Sequence, residues 1–167
     1  MSAPSVSAEP NAFLRHALAT VAYRAGKTLR DAPPHFAAFE AAPGTRTPAQ
    51  ILAHMGDLLD WSCALADGGN AWHDSTPLPW PEESQRFFRG LETLDGRLAS
   101  NAPLGCSSER LLAGPIADAL THTGQLAMLR RIAGAPIRSE NYFAAHITAG
   151  RTGPDQATPD YEFGGTE

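Results

Sequence analysis

Gly114-Pro115-Ile116-Ala117-Asp118-Ala119-Leu120-Thr121-His122-Thr123-Gly124-Gln125-Leu126-Ala127-Met128-Leu129-Arg130-Arg131-Ile132-Ala133-Gly134 carries the signals that decide the fold. Arg130 and Arg131 sit where the last helical turn favours cations, Gly134 fits the position just past the end, and Pro136 follows. Gly114-Pro115 either opens the helix, with proline at its first position, or kinks a longer one, since Leu111 falls on the face of Leu126 and Leu129. With His122 as zero on a wheel of about 100° per residue, Asp118 lies near −40°, Leu126 near 40°, Leu129 near −20° and Ala133 near 20°. The helix therefore aims an i, i+4 Asp–His pair along its own apolar face.

Three earlier segments share the helical period. From about Pro10 to Arg30, Leu14, Leu18, Val21, Ala25 and Leu29 form one stripe that Pro33-Pro34 terminates. Thr47, Pro48 and Gln50 make a capping box and open a second helix, which Gly68-Gly69 stops after Asp67; Ile51, Leu58, Trp61 and Leu65 form its stripe. A third begins at Pro81 with Glu82 and Glu83 in its first turn, buries Phe87, Leu91, Leu94 and Leu98, and is closed off by Pro103. Phe88 lies about 100° off that stripe, as a lateral contact or a partner-surface residue. With no internal repeat and no alternating strand–helix pattern, the reading is an all-α, antiparallel four-helix bundle. Its long connections leave room for a topology other than simple up-down-up-down, and a Trp/Pro-rich loop runs from Asn70 to Trp80. From Ala135 the chain reads as an extended tail packed on the bundle, with residues 1–9 and about 156–167 loosely ordered.

The length of 167 residues suits one domain, 1–167, and 43% hydrophobic with 19% charged residues excludes a wholly disordered chain. The net charge of −5 argues against a nucleic-acid partner, because an acidic surface repels phosphate backbones. No apolar run approaches the ~18–20 residues of a membrane span, and Met1 to Glu9 lacks the basic and apolar regions of a secretory signal. The expectation is a cytoplasmic protein with neither nucleic acid nor membrane as partner. The two cysteines, Cys63 and Cys106, are far apart and outside any CxxC, so they read as buried small hydrophobes, and a metal would need His and carboxylate ligands.

Of the six histidines, His54 falls in the middle of the second helix's stripe, with Leu58 near 40°, Trp61 near −20° and Leu65 near 20° from it. A buried imidazole or carboxylate is costly without a partner. His54, Asp118 and His122 together form a His₂-carboxylate set that suits Zn²⁺, Ni²⁺ or Fe²⁺ and leaves coordination positions open. The alternative is plain: Asp118 is favoured near a helix start by the dipole, an Asp–His i, i+4 pair supports a helix, and His54 can bond a backbone carbonyl or Asp57. Gln125 and Asp57 stand where they could support the ligands. His16 reads as solvated on the polar face of the first helix beside Tyr23, and His35 and His73 as loop residues. Trp61 and the tail residues Asn141, Tyr142 and His146 are candidate pocket residues, the tail either folding over the site or simply packing.

Asp118-Ala-Leu-Thr-His122-Thr-Gly124-Gln125-Leu126, Leu129-Arg130-Arg131 and Gly134-Ala-Pro136 resemble the last-helix signature of the DinB/YfiT-like metalloenzyme superfamily. Ile51-Leu-Ala-His54-Met55 with Trp61 is similar to that family's second-helix histidine motif. Glu140-Asn141-Tyr142-Phe143, Ile147 and Gly150-Arg151-Thr152-Gly153 resemble the C-terminal extension of some members. The resemblance places the family's histidines on His54 and His122, and puts Asp118 where the family usually has a third histidine. It implies a DinB-like bundle holding a divalent metal and forming a homodimer, with a low-molecular-weight thiol such as glutathione, mycothiol or bacillithiol as co-substrate. The activity implied is transfer or isomerisation of a small molecule, or hydrolysis. No residue stands out as a catalytic base, Asp57 being the nearest. The alternative function is a non-catalytic, metal-binding or stress-associated helical dimer.

Overall fold

A computed structural model describes residues 11–164, so the reading for residues 1–9 and for the last three residues lies outside the described part. Helix α1 (Ala12–Leu29) buries Leu14, Leu18, Val21, Ala25 and Leu29, the stripe its spacing predicts. The chain then passes through one 3₁₀ turn, Phe36–Ala38, which plants Phe36 in the core. Helix α2 (Pro48–Ala66) opens on the expected capping box: the Thr47 hydroxyl accepts from the Gln50 amide at 3.3 Å, and Gln50 Oε1 accepts from the Thr47 amide at 2.9 Å. Gly68, at φ +85°, ends it in a conformation that favours glycine.

Helix α3 (Trp80–Ala99) starts one residue before the expected Pro81 and buries Phe87, Leu91, Leu94 and Leu98 completely. Of the two readings for Phe88, the lateral contact is the one seen: it is buried, with its ring beside Gly26 of α1, because α1 and α2 both pack on α3 and widen its covered arc. That burial removes the residue-level ground for a homodimer. Fully burying each such Leu or Phe contributes about 1.5–3 kcal/mol, so these four stripes are the main source of the bundle's stability.

The last helix is kinked rather than begun at Gly114-Pro115. Helix α4 (Ser108–Leu111) leads into a wide π-type turn, Leu112–Ile116, and then α5 (Ala117–Ile132). Pro115 donates no backbone hydrogen bond and crowds the carbonyl one turn back, and the chain leaves helical geometry at Gly114, with φ −89° and ψ −107°. Leu111 and Leu126 are both fully buried across the kink.

End-to-end contacts fix the helix directions. Asn11 Nδ2 donates to the Leu98 carbonyl, and Arg15 pairs with Asp95 at 2.9 Å, so α1 and α3 run oppositely. Arg130 donates to the carbonyls of Thr28 and Arg30, so α1 and α5 run together. Arg97 joins the ends of α2 and α3 through Asp67 and the Ala66 carbonyl, so those two also run together. The contacting pairs α1/α3, α3/α2, α2/α5 and α5/α1 close a ring. The bundle is thus antiparallel between two parallel pairs, up-down-down-up, rather than antiparallel throughout.

Tyr23 does not share the solvated face of exposed His16. It is 3% exposed because the tail lies over it, and its hydroxyl donates to Glu140 Oε1 at 2.5 Å. Lys27 Nζ reaches Glu140 at 2.8 Å and Glu162 at 2.7 Å. Burial opposes the lysine's charge, but these two carboxylates outweigh it and hold its pKa above the ordinary value. Strands β1 (Ser139–Glu140) and β2 (Glu162–Phe163) pair antiparallel at this anchor. The tail expected to fray from about residue 156 is therefore fastened as far as β2.

Candidate metal centre

His54 on α2 and Asp118 and His122 on α5 meet where those helices face each other, one turn past the Gly114-Pro115 kink. One ligand atom from each lies within 4.8 Å of the others. Asp118 Oδ2 is 3.6 Å from His54 Nε2, and Oδ1 is 3.5 Å from His122 Nε2. These separations are long for a hydrogen bond. They are close to the roughly 3.3 Å edge of a tetrahedron whose metal–ligand arms are ~2.0–2.1 Å. The donor set could hold a divalent cation, and its two Asp118 contacts, each through a different carboxylate oxygen, equally satisfy an Asp–His ion pair.

His122 has a partner on its other ring nitrogen. Gln125 Oε1, one turn further along α5, lies 2.7 Å from His122 Nδ1, and an amide oxygen can only accept. With the amide oxygen on this side Nδ1 is the donor, and Nε2 is the ring nitrogen that faces Asp118. The two imidazoles cross edge to face at 4.8 Å. Burial first, and then the neighbouring His122 and Arg46, lower the His54 pKa below its ordinary value despite the Asp118 carboxylate. A neutral imidazole is the form that ligates. The site is shallower than the wheels imply: side-chain exposure is 20% for His54, 12% for His122 and 45% for Asp118. A pocket mouth, not the bundle core, faces the triad.

The walls come from the connection 67–79, whose route follows from helix direction. Because α3 runs parallel to α2, the chain must return about 28 Å along the bundle after Ala66, which an extended stretch of this length spans readily. It descends along α2 in register: Asn70 accepts from Trp61 Nε1 at 2.8 Å, Trp72 packs edge to face on both Trp61 and His54, and Ser75 bonds Asp57. Trp61, Leu58 and Trp72 line one cleft with His54 and Asp118. A second cleft, lined by Ile51, Met128 and Leu129, reaches His122 and Gln125.

Asp57 belongs to a separate cluster. Its carboxylate accepts from the Ser75 amide and hydroxyl at 2.9 and 2.6 Å and from Arg86 at 2.5 Å. Burial opposes its ionisation, yet these bonds prevail and keep its pKa below the usual carboxylate value. A carboxylate so engaged is a poor base, and it does not act as the hydrogen-bond partner of His54. Asp60 and His73 complete a second group of potential ligands with Asp57. Arg86 already supplies that group's cation, bonding Asp57, Asp60 and Glu83, and a metal would have to displace it.

Asn141, Tyr142 and His146 are not brought to the triad. Tyr142 packs edge to face on Tyr23 under Arg24, Asn141 caps the Phe143 amide, and His146 sits by Asp160 and Tyr161. Of the two tryptophans flanking the loop, Trp72 forms a wall, whereas Trp80 packs on Phe36. Cys63 is half-buried against the core, and burial with nearby Asp60 and Asp67 pushes its pKa up to about 11, which keeps it a thiol. Among the described residues no helix is long and apolar enough to cross a membrane. Arg46, at the junction of two clefts, and the Arg86 network escape a sequence reading, since neither lies on a periodic apolar face. Compared with known proteins, the chain matches no family model, no curated protein and no solved structure.

Proposed function

We propose that the chain is a divalent-metal protein of DinB-like type in which His54, Asp118 and His122 hold the ion and a small-molecule thiol is the co-substrate of a transfer or isomerisation. The observation that carries the metal is the convergence of two imidazoles and one carboxylate, with His122 held by Gln125 in the ligating tautomer. Bound there, a divalent ion lowers the pKa of a coordinated thiol or water and supplies a nucleophile at neutral pH. Three protein ligands leave at least one position for that group. Gln125 orients His122, while Trp72 and Trp61 limit water access from the side of α2. The thiol rests on the sequence resemblance; the two clefts that meet at the triad offer room for it and for a second substrate. Protein reconstituted with Zn²⁺ or Ni²⁺ should be stabilised by at least one of glutathione, mycothiol and bacillithiol in a thermal-shift assay, and the stabilisation should disappear with His122→Ala. Absence of stabilisation by all three would contradict the thiol role and favour a non-catalytic metal protein.

A further inference from the structure

Arg46 stands immediately before the cap of α2 and lines both the apolar cleft that reaches His122 and the polar cleft that reaches His54. Among the described residues it makes no hydrogen bond or ion pair. The apolar cleft, about 460 Å³, is walled by Ile51, Met128 and Leu129 and suits a small organic molecule. Its lining combines His122 of the triad with the exposed guanidinium of Arg46. We infer that the second substrate of this site is a small monocarboxylate with an apolar body, its carboxylate held by Arg46 and its hydrocarbon in the cleft beside His122. This inference rests on the metal reading above.

Charge decides the class of ligand. A guanidinium forms charge-assisted, paired hydrogen bonds to a carboxylate, so a monoanion matches the single cation at the cleft junction. A phosphate dianion fits less well, because Asp57 and Asp74 line the polar cleft and Asp118 faces the triad. An ammonium ligand would meet Arg46 as a like charge.

The test uses the full chain reconstituted with Zn²⁺, with hexanoate, acetate, hexylamine and hexyl phosphate as probes and calorimetric titration as the readout. Hexanoate should bind more tightly than acetate and than hexyl phosphate, and hexylamine should not bind. Arg46→Gln should weaken hexanoate by about tenfold, the worth of one charge-assisted contact, and Arg46→Lys should weaken it less. Zinc content measured in parallel should be equal in wild type and both variants. Hexanoate binding that is unchanged in Arg46→Gln, or a preference for hexyl phosphate, would overturn the inference while leaving the metal reading intact. A wild-type chain that takes up no zinc would overturn the metal reading, and this inference with it.

Discussion

At the scale of single residues the site turns on which atom of His122 is free. Gln125 Oε1 lies 2.7 Å from Nδ1, which makes Nδ1 the donor, and the proposed ion would be held by Nε2. Gln125→Leu should therefore keep the fold but weaken divalent-metal affinity about 10–100-fold, the usual cost of losing a residue that orients a ligand. Competition with a chromophoric chelator measures it, and unchanged affinity would show that the Gln125 contact plays no part. The three candidate ligands were legible in the sequence because a helical wheel places polar groups on an apolar face without any knowledge of the partner helix. Their depth was not. A wheel gives an angle, and exposure depends on what covers the residue, so Asp118 is nearly half exposed where a core-facing group was expected. Arg46 and Trp72 sit in aperiodic segments, and only the folded chain brings them to the imidazoles.

At the scale of elements the connection 67–79 acts as a strap across α2. Its position is set by Asn70 on Trp61 and, above all, by Ser75 on the buried carboxylate of Asp57. Because the folded-state pKa of Asp57 is depressed, its contribution is fully present above the ordinary carboxylate pKa of about 4. It is lost as pH falls through the folded value. Asp57→Asn should destabilise the protein by about 1–3 kcal/mol at pH 7, and the difference between wild type and variant in urea titrations should shrink progressively as pH falls below about 4. A difference that persists undiminished at low pH would mean that the strap is held by something other than this ionised carboxylate. The length of the connection was visible in its Trp/Pro-rich composition. Its path was not, because it depends on α3 running parallel to α2, which arises from packing and end contacts such as Arg97 with the Ala66 carbonyl. The kink was legible as one of two alternatives: Leu111 shares the buried face with Leu126 only if the helix continues through Pro115.

At the scale of the whole molecule, the up-down-down-up ring gives the site its location. Pairing α2 with an oppositely directed α5 sets His54 against Asp118 and His122. The parallel α2/α3 pair forces a long strap over the same face. The tail, anchored by Glu140 to Tyr23 and Lys27, stays on the other helix pair and leaves the clefts at the triad open. The central claim is that one divalent ion is held by residues of both α2 and α5. Elemental analysis of untagged protein, beside the His54→Ala and His122→Ala variants and with helicity checked by circular dichroism, tests it most directly. The account predicts about one divalent ion per wild-type chain and its loss from both variants while helix content is preserved. Wild-type protein without stoichiometric metal, or variants that retain it, would contradict the account.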